Sequence, residues 1–112
     1  LAICAMIIWD RVRELREEVG EADFSEIVAL FLSETEEALA RLGSATDPDE
    51  AEAILHSLKG SALNLGFGDM SELCRAGKGR AAAMHGCAED HAKLVETYEA
   101  SKARLLSATW NP

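Results

Sequence analysis

The run Asp47-Pro48-Asp49-Glu50-Ala51-Glu52-Ala53-Ile54-Leu55-His56-Ser57-Leu58-Lys59-Gly60-Ser61-Ala62-Leu63-Asn64-Leu65-Gly66 decides the fold of this chain. Its apolar residues fall at Ala51, Ile54, Leu55, Leu58, Ala62 and Leu65, at intervals that repeat with the turn of an α-helix and not with the pleat of a strand. On a wheel of ~100° per residue they occupy a stripe roughly 100° wide, the width of a core-facing side. Both ends of the run are marked. Pro48 fits the first helical position, where a missing N–H costs nothing, and Asp47 with Glu50 has the form of a capping box. Gly66 accepts the left-handed backbone of a helix end.

The same punctuation recurs on either side. Asp23 with Glu26 and Asp69 with Glu72 read as further capping boxes, and Gly20, Gly43 and Gly86 as further stops. Between these marks the apolar spacing is helical. Trp9, Val12, Leu15 and Val19 line a first helix, with Ile8 just ahead of it. Phe24, Ile27, Phe31, Ala38 and Leu42 line a long second one. Met70, Leu73, Gly77 and Met84 mark the fourth, and Leu94, Tyr98, Leu105 and Ala108 the fifth. With 112 residues there is material for one core. The only prolines are Pro48 and Pro112, and aromatics make up 5% of the chain, so long helices are favoured over strands. The expected fold is all-α: residues 1–112 as a single domain, an antiparallel four-helix bundle with an additional short N-terminal helix.

Charge narrows the partners. Twenty acids against 11 bases give a formal charge of −9, which opposes binding to nucleic acid or to an anionic membrane. The three cysteines, Cys4, Cys74 and Cys87, show no disulfide framework spacing, so a cytoplasmic setting is expected. The apolar opening Leu1–Trp9 is too short to span a bilayer and lacks the basic start and small-residue cleavage site of a secretory signal. A monomer without metal or cofactor is the expectation.

One face of the central helix does not belong to the core. His56 lies about 150° from the centre of the apolar stripe. Leu63 sits within roughly 20° of it, Gly60 and Glu52 within about 40°, and Lys59 within about 60°. A glycine in a helix interior costs ~1 kcal/mol relative to alanine, so its presence calls for a reason. Close approach of another body beside His56 is such a reason. A lone exposed histidine, lysine or leucine is ordinary surface. Grouped around a helix-interior glycine, they read as a docking face.

His56-Ser57-Leu58-Lys59-Gly60-Ser61-Ala62-Leu63-Asn64-Leu65-Gly66 closely resembles the signature of histidine-containing phosphotransfer (HPt) domains: His-x-x-Lys-Gly, then small residues and a Leu-Gly turn. The flanking text is also similar, with Trp9–Gly20 leading into Phe24–Leu42 and Ser71-Glu72-Leu73-Cys74 after the turn. The resemblance covers residues 9–105 and implies a phosphorelay intermediate of two-component signalling. His56 would be the phosphoacceptor, with Lys59 supplying charge near the phosphoryl oxygens and Gly60 clearing space for the partner. Leu63 would belong to the docking face. The partners implied are response-regulator receiver domains and a sensor or hybrid histidine kinase. The chain has no P-loop or kinase glycine loop, so the phosphoryl group must arrive from a partner, and Mg²⁺ with its acidic ligands would belong to the receiver. Many family members carry a polar residue, often Gln, on the following helix. The corresponding position here is near Lys78, within Ala76-Gly77-Lys78-Gly79-Arg80, where two glycines weaken the helix.

Other readings compete. His85, Cys87 and His91 are close in sequence, but they straddle Gly86 and match no standard zinc spacing. His91 is in phase with Leu94, Tyr98 and Leu105, which gives it a core or boundary role. A thiol enzyme using Cys74 or Cys87 is disfavoured, since Cys74 lies beside the apolar stripe and reads as a small core residue. Glu34, Glu36 and Glu37 read as solvated helix surface. The main alternative function is a helical adaptor that binds signalling proteins without being phosphorylated.

Overall fold

Each apolar stripe becomes a helix in the computed structural model, which describes residues 6–82 and 87–107, with side chains described at 6–77 and 91–107. The order is α1 (Trp9–Val19), α2 (Glu21–Ser44), α3 (Pro48–Leu65), α4 (Gly68–Ala82) and α5 (Cys87–Ser107), with no strand among the described residues. The connections around α3 are too short for anything but antiparallel neighbours. Long-range bonds fix the same sense for α2 and α5. His91 meets Leu39 and Tyr98 meets Leu32, so residues that rise along one helix meet residues that fall along the other. α2 to α5 form the expected bundle and α1 packs on α2 and α3.

The α3 stripe is buried as read: Ala51, Ile54, Leu55, Leu58, Ala62 and Leu65 all face the core. From α4 and its leading turn come Phe67, Met70 and Cys74, and from α5 Leu94, Tyr98 and Leu105, all of them at most 1% exposed. The rings of Phe67 and Tyr98 lie 6.3 Å apart and tilted by 57°, a favourable aromatic geometry. Tyr98 also donates its hydroxyl proton to the Leu32 carbonyl or the Glu36 carboxylate, at 3.2 and 2.6 Å, so its polar end is satisfied within the packing. Burial and the Glu36 charge push the phenol well above its usual range.

In α2 the stripe is rotated. Ile27, Phe31 and Leu42 are only partly buried, and the centre of the buried face is Phe24, Val28, Leu32, Thr35, Ala38 and Leu39. Gly43 is not a stop, because α2 continues to Ser44. A Cβ on Gly43 would lie 2.9 Å from the His91 ring. That ring is half-buried and hydrogen-bonded through Nε2 to the Leu39 carbonyl at 2.9 Å, the boundary role its phase implies.

Two of the three expected caps are displaced. α2 starts at Glu21 behind Gly20, whose φ of +86° ends α1 and whose carbonyl accepts from Asp23 and Phe24. Asp23 therefore sits inside the first turn. α4 starts at Gly68, which places Asp69 inside its first turn as well. Both acids still stand where the helix dipole favours negative charge. Asp47 is a true cap: its carboxylate accepts from the Asp49 N–H at 3.1 Å. Glu50 makes no return bond among the described residues. Asp47→Ala should cost about 1 kcal/mol, read as a lower urea midpoint with unchanged slope.

The segment ahead of α1 is tied to the α3–α4 turn. Ile8 donates to the Gly66 carbonyl at 2.6 Å, Gly68 to the Met6 carbonyl at 3.2 Å, and Arg11 Nε to the Asn64 carbonyl at 3.3 Å. These bonds satisfy carbonyls and an N–H left over at the end of one helix and the start of the next. Met84, Gly86 and Ala108 lie outside the described residues.

Candidate functional site

α3 is held by α1, α2 and α4, and the face it leaves open carries His56. His56, Ser57 and Gly60 are exposed, Leu63 is 47% exposed, and Lys59 and Glu52 are half-buried. The outward group read from the wheel is therefore one continuous surface on a rigid helix. His56 presents its imidazole there because Leu55 and Leu58, on the opposite side of the same turn, are 4% and 1% exposed.

The glycines on the two sides of this helix differ in kind. A Cβ on Gly60 would meet nothing within 4 Å. Among the described residues no neighbouring helix packs over it, so the glycine leaves open surface beside His56. Gly77 on α4 is buried, and its Cβ would touch Leu55 Cδ1 at 3.5 Å. It is at Gly77 that two helices come close, next to the residue preceding His56. α4 runs unbroken through Gly77 and Gly79, so the weak helix expected there is sustained by packing on α3. Lys78 lies on α4, and its side chain is outside the described residues.

Two features of the surroundings were not evident from sequence. On the α4 side, Arg75 grips Glu72 through Nη2 at 2.9 Å and Nε at 3.2 Å. The Arg75 guanidinium holds the Glu72 carboxyl below the usual carboxylate range, and the Lys59 charge adds to the effect. On the α2 side, Glu34, Glu37 and Arg41 border a small polar cleft with Ser57 and Ser61, floored by Ala38 and Leu58. Glu34 and Glu37, read as plain solvated surface, thus line the flank of the His56 helix. The i,i+3 spacing of Glu72 and Arg75 is the only sequence signal for either feature.

Elsewhere, Cys74 is fully buried in the core, as its position beside the stripe implies. His91 is committed to the α2–α5 seam, and the side chains of His85 and Cys87 lie outside the described residues. No helix among the described residues is long and apolar enough to cross a membrane. Chemically, the open face offers an exposed imidazole, a lysine in the same turn and open space over Gly60.

Comparison with known proteins gives an independent test. No curated protein and no solved structure matches the chain. The Hpt domain family model matches residues 26–104, which takes in α3 with His56, all of α4 and most of α2 and α5. α1 and the segment before it lie ahead of that match. With a match of this extent laid on a helical bundle of the corresponding architecture, the chain belongs to the Hpt domain family and has a phosphotransfer role in two-component signalling.

Proposed function

We propose that His56 accepts a phosphoryl group from the aspartyl phosphate of a receiver domain, or from a sensor or hybrid histidine kinase, and passes it to a receiver aspartate. One observation carries the reading: an exposed histidine on a rigid helix stands beside a glycine with open space above it. Phosphoryl transfer asks mainly for positioning and charge stabilisation, and both are available at such a face. An imidazole nitrogen lone pair attacks phosphorus, and the bond from phosphorus to the aspartyl oxygen breaks. The electron pair stays on the leaving carboxylate, and the ring loses a proton to solvent. Lys59 offsets charge on the phosphoryl oxygens. Mg²⁺ and its acidic ligands belong to the receiver, and the chain needs no cofactor of its own. The reading places the protein in the cytoplasm, with partners that hold the nucleotide and metal chemistry.

Incubation with a phosphorylated receiver domain and Mg²⁺ should add one phosphoryl group to the intact protein, labile to acid and stable to alkali as a phosphoramidate is. Tight binding of the receiver with no such adduct would replace this reading with the adaptor. Gly60→Gln offers a second check. Glutamine is the better helix former, so stability should rise by about 0.5 kcal/mol. Its side chain would fill the approach beside His56, and transfer should slow by about tenfold or more. An unchanged transfer rate in the folded variant would remove the role given to Gly60.

A further inference from the structure

We propose that Glu72 is a positioning residue for phosphoryl transfer at His56: gripped by Arg75 on α4, it sets the direction in which Lys59 extends from α3. The inference rests on the phosphoacceptor reading of His56 and adds a residue on another helix to it.

The register of α3 against α4 places these groups. Gly77 lies against Leu55, and the two helices run antiparallel. One turn further along α3 is Lys59, and about one turn back along α4 are Leu73 and Glu72. Lys59 is half-buried and lies about 60° round the helix from His56. Its stem can therefore run along the α3–α4 seam with the ammonium toward either His56 or Glu72. The charges of Lys59 and Glu72 do feel each other, since Lys59 contributes to keeping the Glu72 carboxyl ionised.

Arg75 decides what that attraction does. A carboxylate facing Lys59 alone would compete with the phosphoryl group for the ammonium. Here the guanidinium bonds both Glu72 oxygens, at 3.2 Å from Nε and 2.9 Å from Nη2, so the carboxylate does not face Lys59 alone. The remaining field orients Lys59 along the seam beside His56 without holding it there. When the phosphoryl group arrives with its larger negative charge, Lys59 moves to it over a short path from a restricted starting position.

The test is a double-mutant cycle on the rate of transfer from a receiver domain phosphorylated with acetyl phosphate, using wild type, E72Q, K59A and the double variant. E72Q should lower the transfer rate constant about threefold, the scale of an exposed charge interaction, with KM for the receiver unchanged. In the K59A background the same substitution should have no effect, because Glu72 acts through Lys59. A merely structural role would lower the rate equally in both backgrounds and would overturn the proposal, as would an E72Q rate equal to wild type. Absence of a phosphoryl adduct on the wild type would instead overturn the underlying reading, and the same samples report it by intact mass.

Discussion

His56→Gln should abolish the acid-labile phosphoryl adduct and leave the bundle folded. His56 faces solvent on α3, so glutamine meets no packing constraint, and the stability change should stay within about 0.5 kcal/mol. Glutamine keeps a polar side chain of similar reach and lacks a nucleophilic nitrogen. The expected loss of transfer is therefore complete and not graded. His91 cannot substitute for it, because its Nε2 is hydrogen-bonded to the Leu39 carbonyl and its ring is wedged against Gly43. Lys59→Ala should slow transfer by about tenfold without abolishing it, since it removes charge stabilisation and leaves the nucleophile. Intact-mass measurement after incubation with a phosphorylated receiver reads both. An adduct that persists in His56→Gln, or maps to Ser57 or Ser61, would refute the assignment.

The second large effect is on stability. Gly66→Ala should cost about 3 kcal/mol, for two separable reasons. Gly66 has φ of +80°, which an alanine adopts only under strain. Its Cβ would also lie 2.8 Å from the Ile8 carbonyl oxygen and 3.2 Å from Val12 Cγ2. The Ile8 backbone cannot withdraw without giving up its 2.6 Å bond to Gly66. Two other glycines separate the terms. Gly20 has φ of +86° with ψ of 152°, a region reserved for glycine, and nothing within 4 Å of its Cβ position, so Gly20→Ala carries backbone strain alone, about 2 kcal/mol. Gly60 carries neither, and Gly60→Ala should raise stability by up to about 1 kcal/mol. Urea midpoints should therefore fall in the order Gly60→Ala, wild type, Gly20→Ala, Gly66→Ala. A Gly66→Ala loss of only about 1 kcal/mol, the left-handed strain alone, would mean that α1 is not clamped to the α3–α4 turn.

That clamp bears on function because it sits at the C-terminal end of the helix that carries His56. Met6, Ile8 and Arg11 all bond to the residues that close α3 or open α4. Arg11 is itself braced by Glu14 and Glu18, each at 3.0 Å, and these acids raise its guanidinium further above its usual range. The exposed acids make each bond weak singly. Together with the backbone bonds they give α3 a fixed end, and a fixed end limits how far the face carrying His56 can tilt.

The central helix was legible from sequence alone because all its determinants are local. Asp47 and Pro48 start it and Gly66 ends it. Six apolar residues leave no ambiguity about its inner side, so the outer placement of His56, Lys59, Gly60 and Leu63 followed from the wheel. The existence and order of the five helices were legible for the same reason. What the tertiary structure decided depends on neighbours. The apolar arc of α2 is wide enough to bury either Phe31 and Leu42 or Leu32 and Leu39, and only the positions of α3 and α5 select the second pair. Gly43 and Gly66 look alike in sequence. One makes room for the His91 ring in the last turn of α2, while the other turns the chain under Ile8, because different elements arrive over them. Asp23 and Asp69 carry the residue type of a cap, but positive-φ glycines set the preceding turns and start both helices earlier. Glu72 is one acid among many until Gly77 brings α4 onto Leu55 and sets it near Lys59. Helix periodicity is written into each segment, whereas register between segments comes only from side chains that meet across them.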